Sequence, residues 1–300
     1  KPSGVPLLSR AETVPSRPVR YATPAISLTG KCDSTANGDG GQRAVYMGGA
    51  YLTFSATGGG DISLVGDNAA VHTTNPGSLA FSGIDILAST GNITIDGGTD
   101  GVVTSMSGNV SDIGALSGGS AAGNVNILGD RITSAGTTNV KTTGNVVAES
   151  KAAAFITFSL AGTNVDASAA SIRVGKTTDQ TSAITLGGAL AANGPISVYG
   201  GAVTLNAGLS VTPSTTGSIL VKAGGDITTA ASLTFSTAGG DATFWSDSDA
   251  SGAGRIALGA TNTITTSGGK VTLAGGADNG ASTVVSGRTA SDGYPDGWAA

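Results

Sequence analysis

Short β-type words that begin with glycine recur along this chain of 300 residues, and they constrain its fold more than any other feature. The word GGDIS begins at Gly59 and returns as GGDIT from Gly224 and as GGDAT from Gly239. A sister form, Gly-Asn followed by a β-branched residue, begins at Gly91, Gly123 and Gly144. Self-similarity at intervals of a few tens of residues is typical of solenoids, in which each repeat packs only on its neighbours.

The rest of the chain from about residue 44 consists of runs such as NITI, SIRV, AVTL and KVTL, separated by Gly, Asn, Asp and Ser. Their alternation with a period of two indicates strands, and no stretch shows a sustained helical period. Glutamate, which favours helices, occurs only at Glu12 and Glu149, whereas the other acids are aspartates, which favour turns. The chain is therefore predicted to be all-β.

The repeating unit is clearest in the C-terminal third. Residues 218–240 form one unit and residues 241–269 the next, and each unit holds three strand words and ends in Gly-Gly. Three short strands per turn with small corners predict a parallel β-helix, with about ten coils in residues 31–300. The alternative fold, tandem β-sandwich domains, fits less well because hairpins with turns every 8–12 residues or so do not produce such units.

Residues 1–30 differ from this body. Five of the nine prolines and three arginines fall within residues 1–24. Proline at this density favours extended backbone, so we predict an extended N-terminal arm over residues 1–30. Docking of the arm on its own body and docking on a neighbouring subunit both stay open. Because the chain begins at Lys1 rather than Met, we expect it to be a processed part of a longer precursor.

Charge and hydropathy exclude two classes of partner. The net charge is −5, and no Lys or Arg occurs between Arg43 and Arg131, so the basic stripe that nucleic-acid binding requires is missing. No apolar run approaches the roughly 18 residues of a membrane span, so the chain is not predicted to cross a membrane. Cys32 is the only cysteine and is interpreted as an isolated thiol rather than an intersubunit bridge.

A catalytic site is the alternative to a purely structural role, because parallel β-helices also carry polysaccharide lyases and glycosidases. Such sites need acids on adjacent coils of one face, with Arg or Lys nearby. The acids of the N-terminal third lie in the stretch without basic residues and mostly beside Gly or Asn, which predicts polar corners: Asp61, Asp67, Asp85 and Asp96. The only histidine, His72, is predicted to be a solvent-facing residue before a turn. We therefore expect no enzyme, with a polysaccharide-binding or polysaccharide-cleaving protein as the alternative.

Binding of ice or another flat surface by ranks of outward threonines is a third alternative. Threonines do occur in strand words, as at Thr94, Thr228 and Thr265. Paired T-x-T motifs, however, do not recur at one position per coil; TNTITT is the exception. The sequence therefore gives this alternative little support.

The stretch WSDSDASGAG at residues 245–254 is the most motif-like run in the chain. Asp247, Asp249 and Ser251 alternate before Gly252, as at the start of a calcium loop of the EF-hand type, but Leu258 stands where a bidentate Glu is expected. This stretch also holds the extra residues that make the unit at 241–269 longer than the unit before it. We predict a surface loop anchored by Phe244 or Trp245, with Asp247 and Asp249 facing solvent. A calcium ion on Asp247, Asp249 and Ser251 is the secondary candidate, and no other cofactor is expected.

The run DATFWSDSDASGAGRIAL, with the words GNITI, GNVNI and GDITT, resembles the repeats of large filamentous-haemagglutinin-like bacterial adhesins. The resemblance covers about residues 59–299 and implies a right-handed parallel β-helix that is exported and acts in adhesion or in extracellular fibres. The NPNL and NPNGI signatures of that group's secretion domain are missing, so the resemblance does not imply a secretion route. We expect an extracellular or cell-surface structural protein that forms homo-oligomers or filaments through its arm and solenoid ends, with a glycan or a host surface as a further ligand.

Overall fold

A computed structural model describes residues 25–32, 44–56, 58–68, 78–104, 110–115, 121, 123–134, 136–179, 181–211, 217–278 and 295. All regular structure in these ranges is β-structure, and every strand pair is parallel. The prediction of a parallel β-helix is confirmed. Tandem β-sandwiches are excluded, because sandwiches are built from antiparallel pairs.

Face A of the β-helix is a sheet of ten strands. Its strands follow one another along the rod in chain order: β1 (Ile26–Cys32), β3 (Ile62–Asn68), β5 (Ile93–Asp96), β8 (Val125–Leu128), β11 (Asn145–Glu149), β14 (Ser171–Val174), β17 (Ile196–Gly200), β20 (Ile219–Ala223), β23 (Ala242–Ser246) and β26 (Val271–Gly275).

Faces B and C belong to a second sheet, and they meet in the long strands β2 (Val45–Ala56) and β4 (Leu79–Ala88), which contribute to both. Face B continues through β6 (Val102–Thr104), β9 (Arg131–Ser134), β12 (Thr157–Leu160), β15 (Ile184–Leu186), β18 (Val203–Leu205), β21 (Ile227–Thr229) and β24 (Ile256–Ala257). Face C continues through β7 (Val110–Gly114), β10 (Thr137–Val140), β13 (Thr163–Val165), β16 (Leu190–Ala192), β19 (Leu209–Val211), β22 (Thr234–Ser236) and β25 (Thr263–Thr265).

The chain passes through faces A, B and C in turn, so that each passage makes one coil. The described strands form nine coils, and β26 begins a tenth. On face A, Ile219 lies opposite Ala242 and Ala242 opposite Val271, so each of the two units predicted at residues 218–269 makes one coil. The first coil begins with β1 at Ile26, inside the range predicted for the arm, because Ile26 and Leu28 alternate with polar residues and pack on the core. Residues 1–24 of the predicted arm lie outside the described residues.

The core is a continuous column of small apolar side chains. Alternate residues of each strand point inward, so that equivalent positions stack from coil to coil about 4.8 Å apart. Along face A the first inward position is filled in turn by Ile62, Ile93, Val125, Val146, Ile172, Ile196 and Ile219, each at most 4% exposed. Such a narrow core is filled by aliphatic residues, which explains why aromatic residues make up only 4% of the chain.

The Gly-Asn words lie at the corner that precedes face A. A Cβ added to Gly123 would overlap the carbonyl oxygen of Gly91 on the preceding coil, so only glycine permits this approach. The residue after each glycine joins a ladder: Asp61 Oδ1 accepts a hydrogen bond from the Asn92 N–H (2.7 Å), and Asn92 Oδ1 accepts one from the Asn124 N–H (3.0 Å). Asn124 Oδ1 does the same for the Asn145 N–H (2.9 Å). The repeated words therefore encode contacts between coils.

Candidate functional site

The C-terminal end of the β-helix exposes its core positions. Val271 and Leu273 of β26 lie opposite Ala242 and Phe244, which are 1% and 0% exposed. Val271 and Leu273 themselves are 48% and 47% exposed. These side chains occupy inward positions that the next coil covers everywhere else along face A. The last described coil therefore ends in an open apolar edge.

The described residues that follow β26, 276–278, do not turn over this edge but return along the outside of face A. The carbonyl of Gly276 accepts a hydrogen bond from the Trp245 indole N–H of β23 (2.8 Å). The Lys222 ammonium of β20 lies 4.0 Å from the centroid of the Trp245 ring. Burial lowers the pKa of Lys222, and the charge of Asp278 opposes that shift. Residues 276–278 thus run towards the preceding coils and leave Val271 and Leu273 exposed.

The N-terminal end presents a comparable edge. Ile26 and Leu28 of β1 and Phe54 of β2 are only partly buried, although they pack on the core. Leu52 is 45% exposed at the inward position that Ile84 occupies, fully buried, on the next coil. No described strand pairs with the outer edge of β1 or β2. Within the described ranges, both ends of the rod therefore combine a strand edge that no other strand pairs with and exposed apolar side chains.

A polar groove on face C is the second candidate site. It has a volume of about 210 Å³, and its polar lining comes from Asp112, Asn139, Lys141, Asn164 and Asp166. Asp112, Asn139 and Asn164 stand at one position of three consecutive coils. Asp112 Oδ1 accepts a hydrogen bond from the Asn139 amide (2.9 Å), and Asn139 Oδ1 accepts one from the Asn164 amide (3.4 Å). The groove thus offers carboxylate, amide and ammonium groups to a ligand.

Two carboxyl groups of this region differ in acidity. Asp85 lies directly opposite Asp112 on the preceding coil. Burial, followed by the charge of Asp112, raises the pKa of Asp85. The hydrogen bond from Ser168 lowers the pKa of Asp166, and the Lys141 ammonium acts in the same direction. Of these two carboxyl groups only that of Asp166 lines the groove, and Asp85 adjoins it through Asp112.

Of the acids predicted to be polar corners, Asp61 lies at a corner, but the prediction is wrong for Asp67, Asp85 and Asp96, which lie within β3, β4 and β5 because their side chains take outward positions of these strands. Asp61 is the first member of the corner ladder. Asp96 pairs with the Lys151 ammonium at 2.8 Å, although Lys151 lies two coils further along the rod. Asp96 lies in the stretch without basic residues between Arg43 and Arg131, and its ion-pair partner comes from a later coil. Asp67 is an exposed residue near the end of β3.

His72 and Cys32 are the two remaining residues singled out in the sequence. His72 lies among the residues that the structure does not describe. Cys32 is the last residue of β1, but its side chain is not part of the description. The predictions of a solvent-facing imidazole and an isolated thiol therefore stay predictions.

The loop at residues 245–254 leaves face A after β23, at the predicted insertion. Trp245 anchors its base and is 2% exposed, whereas Phe244 lies in the core in a T-shaped contact with Phe235. Asp249 is exposed as predicted, but Asp247 is partly buried because its carboxylate turns into the loop. Asp247 Oδ1 accepts hydrogen bonds from the N–H groups of Gly252 (2.9 Å) and Ala253 (3.3 Å) and from the Ser251 hydroxyl (3.2 Å). The motif thus closes a turn, and calcium binding there stays a prediction.

Sequence reasoning missed the face C groove. Its Asn139 and Asn164 belong to two TNV words, Thr138–Val140 and Thr163–Val165, which pair residue by residue. This repeated word was the signal available in the sequence. Face B carries a different repeat, an outward hydroxyl at the same position of five consecutive coils: Thr133, Ser159, Thr185, Thr204 and Thr228. These hydroxyl groups form one row along the rod rather than the paired T-x-T rows of a flat binding surface.

Comparisons with protein-family models, with curated proteins and with solved structures give no match. The resemblance to filamentous-haemagglutinin-like repeats therefore stays a prediction. Within the described ranges, no helix is long and apolar enough to span a membrane. The same ranges contain no group of three or more His, Cys, Asp and Glu side chains arranged for a metal ion. The geometry of the rod is therefore the basis on which a function can be assigned.

Proposed function

We propose that this protein is an extracellular structural and adhesive β-helix whose copies assemble end to end into fibres or a surface layer. The observation that carries the proposal is the open C-terminal edge, where Val271 and Leu273 are about half exposed at core positions. A solenoid that works as a monomer needs polar caps, because uncovered strand edges pair with other chains. The resemblance to surface-protein repeats supports the extracellular location.

The proposed role is mechanical rather than catalytic. The described coils form a stiff rod in which ladders of backbone and Asn side-chain hydrogen bonds join each coil to the next. Addition of a further copy extends the same ladders without a change of fold. The Pro- and Arg-rich residues 1–24 are proposed to strengthen this contact by docking on the neighbouring subunit.

Sedimentation velocity over a wide concentration range, combined with negative-stain electron microscopy, tests this proposal. The purified chain is expected to form rods that lengthen with concentration. Deletion of residues 1–24 is expected to shorten the rods without unfolding the body, and far-UV circular dichroism checks the fold. A wild-type protein that stays strictly monomeric at every concentration would overturn the proposal. If the deletion leaves the rods unchanged, residues 1–24 have no part in the assembly.

Polysaccharide binding or cleavage is a second candidate function, which the face C groove favours. Sugar hydroxyl groups both donate and accept hydrogen bonds, so they match a groove that combines carboxylates (Asp112, Asp166), amides (Asn139, Asn164) and the Lys141 ammonium. Equivalent groups recur on successive coils about 4.8 Å apart, which suits a ligand that is itself a chain of repeating units.

A panel of neutral and acidic polysaccharides tests this candidate. Affinity electrophoresis measures binding, and release of new chain ends measures cleavage. The variant Asn139→Ala is expected to weaken binding, and Asp112→Asn is expected to abolish any cleavage. Asp249→Asn, which removes an exposed carboxylate far along the rod from the groove, is the matched control. Retention of all binding and cleavage by both groove variants would exclude the groove.

A further inference from the structure

The hydrogen bonds between coils determine how a second copy fits the open end, and this inference rests on the proposed end-to-end assembly. We infer that β26 of one copy pairs in parallel with β1 of the next copy, with Val271 opposite Ile26 and Leu273 opposite Leu28. The junction then continues the register of face A as if it were one more coil. The occupant of the open edge is a second copy of this chain.

The backbone of face A follows one rule along the whole rod. At seven of the nine junctions between face A strands, the first inward residue of a strand donates its N–H to the carbonyl of the residue that precedes the next strand, over 2.8–2.9 Å. At the other two junctions Val125, Val146 and Ile172 keep the same register. The series begins with Ile26 donating to Asp61 and ends with Ala242 donating to Lys270. Alternate residues of a parallel strand bond to opposite neighbours, so the N–H groups of Val271 and Leu273 point away from β23 towards the open edge.

The first coil supplies the groups that this rule requires next. Because Ile26 bonds to β3, the backbone groups of its neighbours Ala25, Ser27 and Thr29 point to the free edge of β1. In the proposed register the Val271 N–H donates to the Ala25 carbonyl, and the Ser27 N–H donates to the Val271 carbonyl. Leu273 then bonds to Ser27 and Thr29 in the same way.

The side chains agree with this register on all three faces. On face A the apolar positions of Val271 and Leu273 meet Ile26 and Leu28, and Gly275 meets Gly30. On face B the last inward residue of one copy is Ile256, and the first inward residue of the next copy is Val45. On face C the last inward residue of one copy is Ile264, and the first of the next copy is Phe54; both side chains are only partly buried.

The course of the chain after β26 leaves room for this contact. Residues 276–278 lie along the outside of face A, where Gly276 is bonded to Trp245, and they do not cover the edge of β26. A neighbouring copy therefore reaches Val271 and Leu273 without displacing the described residues. Shielding of the edge by residues 279–300 of the same chain is the competing arrangement, and it predicts a monomer.

Engineered disulfides test the register in the full chain. In a Cys32→Ser background, the pair Ser27→Cys and Thr272→Cys places thiols at outward positions that the junction sets opposite each other, with Cα atoms about 4.8 Å apart. A disulfide spans Cα separations of roughly 4.4–6.8 Å, so this pair is expected to link copies into a covalent ladder on a non-reducing gel. Within one chain the two positions are about 40 Å apart, so an internal disulfide is excluded.

The control pair Thr29→Cys and Thr272→Cys is shifted by two residues and lies beyond disulfide reach, so we expect at least tenfold less linked product. Rods visible by microscopy without linkage of the first pair, or with preferential linkage of the control pair, would overturn the register but leave end-to-end assembly standing. A monomeric wild type would overturn both. Circular dichroism of the reduced variants, together with the two single-cysteine chains, separates misfolding and random oxidation from these outcomes.

Discussion

Removal of the exposed apolar side chains at the C-terminal edge is the most informative perturbation of the rod. Val271 and Leu273 keep 48% and 47% of their surface exposed in the single chain. Full burial of a Val or Leu side chain contributes about 1.5–3 kcal/mol, so covering the remaining half contributes about 1 kcal/mol each. The double variant Val271→Ala/Leu273→Ala is therefore expected to weaken association by about 2 kcal/mol, which is roughly a 30-fold fall in the association constant.

Sedimentation velocity at a series of concentrations measures this association constant directly. A matched control is Ile156→Ala, because Ile156 is 53% exposed on the side of the rod rather than at an end. The control removes similar exposed apolar surface and is expected to leave association unchanged. Thermal unfolding of the dilute protein checks that the double variant keeps its fold. An unchanged association constant in the double variant, or an equal fall in the control, would refute the reasoning.

Three further perturbations test other parts of the structure. Phe244→Ala removes a fully buried side chain whose ring centroid lies 5.2 Å from that of Phe235. We expect the free energy of unfolding in urea to fall by about 3–5 kcal/mol, and a fall below about 1 kcal/mol would contradict the described core. Because the pKa of Asp85 is raised in the folded protein, the folded state gains stability as the pH falls through that pKa and loses it as the pH rises. Asp85→Asn should therefore be more stable than the wild type at pH 7 and equal to it near pH 3, and thermal melts in which the difference between the two proteins does not change with pH would contradict this assignment. Asp247→Asn keeps an Oδ1 acceptor and tolerates the φ of 51° at this position, so we expect its melting temperature to match the wild type with calcium or with a chelator; a calcium-dependent rise in the wild type that this variant loses would reveal a calcium site.

The repeat was readable from the sequence because its signals are local. Glycine corners and alternating strands delimit residues 218–269, and these residues form β20 to β25 as predicted. The face C groove depends instead on register between coils of unequal length. Asp112 meets Asn139 at a sequence separation of 27, and Asn139 meets Asn164 at a separation of 25, so no single period aligns them.

Contacts between residues that lie two coils apart were equally impossible to predict from the sequence. Lys151 reaches Asp96 across 55 residues, and that distance in sequence is set by the lengths of the coils between them. The sequence pattern also could not predict the direction in which the Asp247 carboxylate points. A D-x-D-x-S-G stretch suits a cation or a turn, and only the positions of the Gly252 and Ala253 N–H groups show which donors this carboxylate meets.

Electron cryomicroscopy of the wild-type assembly tests the central claim most directly. Copies that stack through β26 and β1 produce a rod in which parallel strands repeat about every 4.8 Å straight through the junction between subunits. The density at the junction should show Val271 beside Ile26 of the neighbouring copy, with both side chains in the core. A rod whose strand spacing is interrupted between subunits, or copies that pack side by side through their faces, would contradict the account.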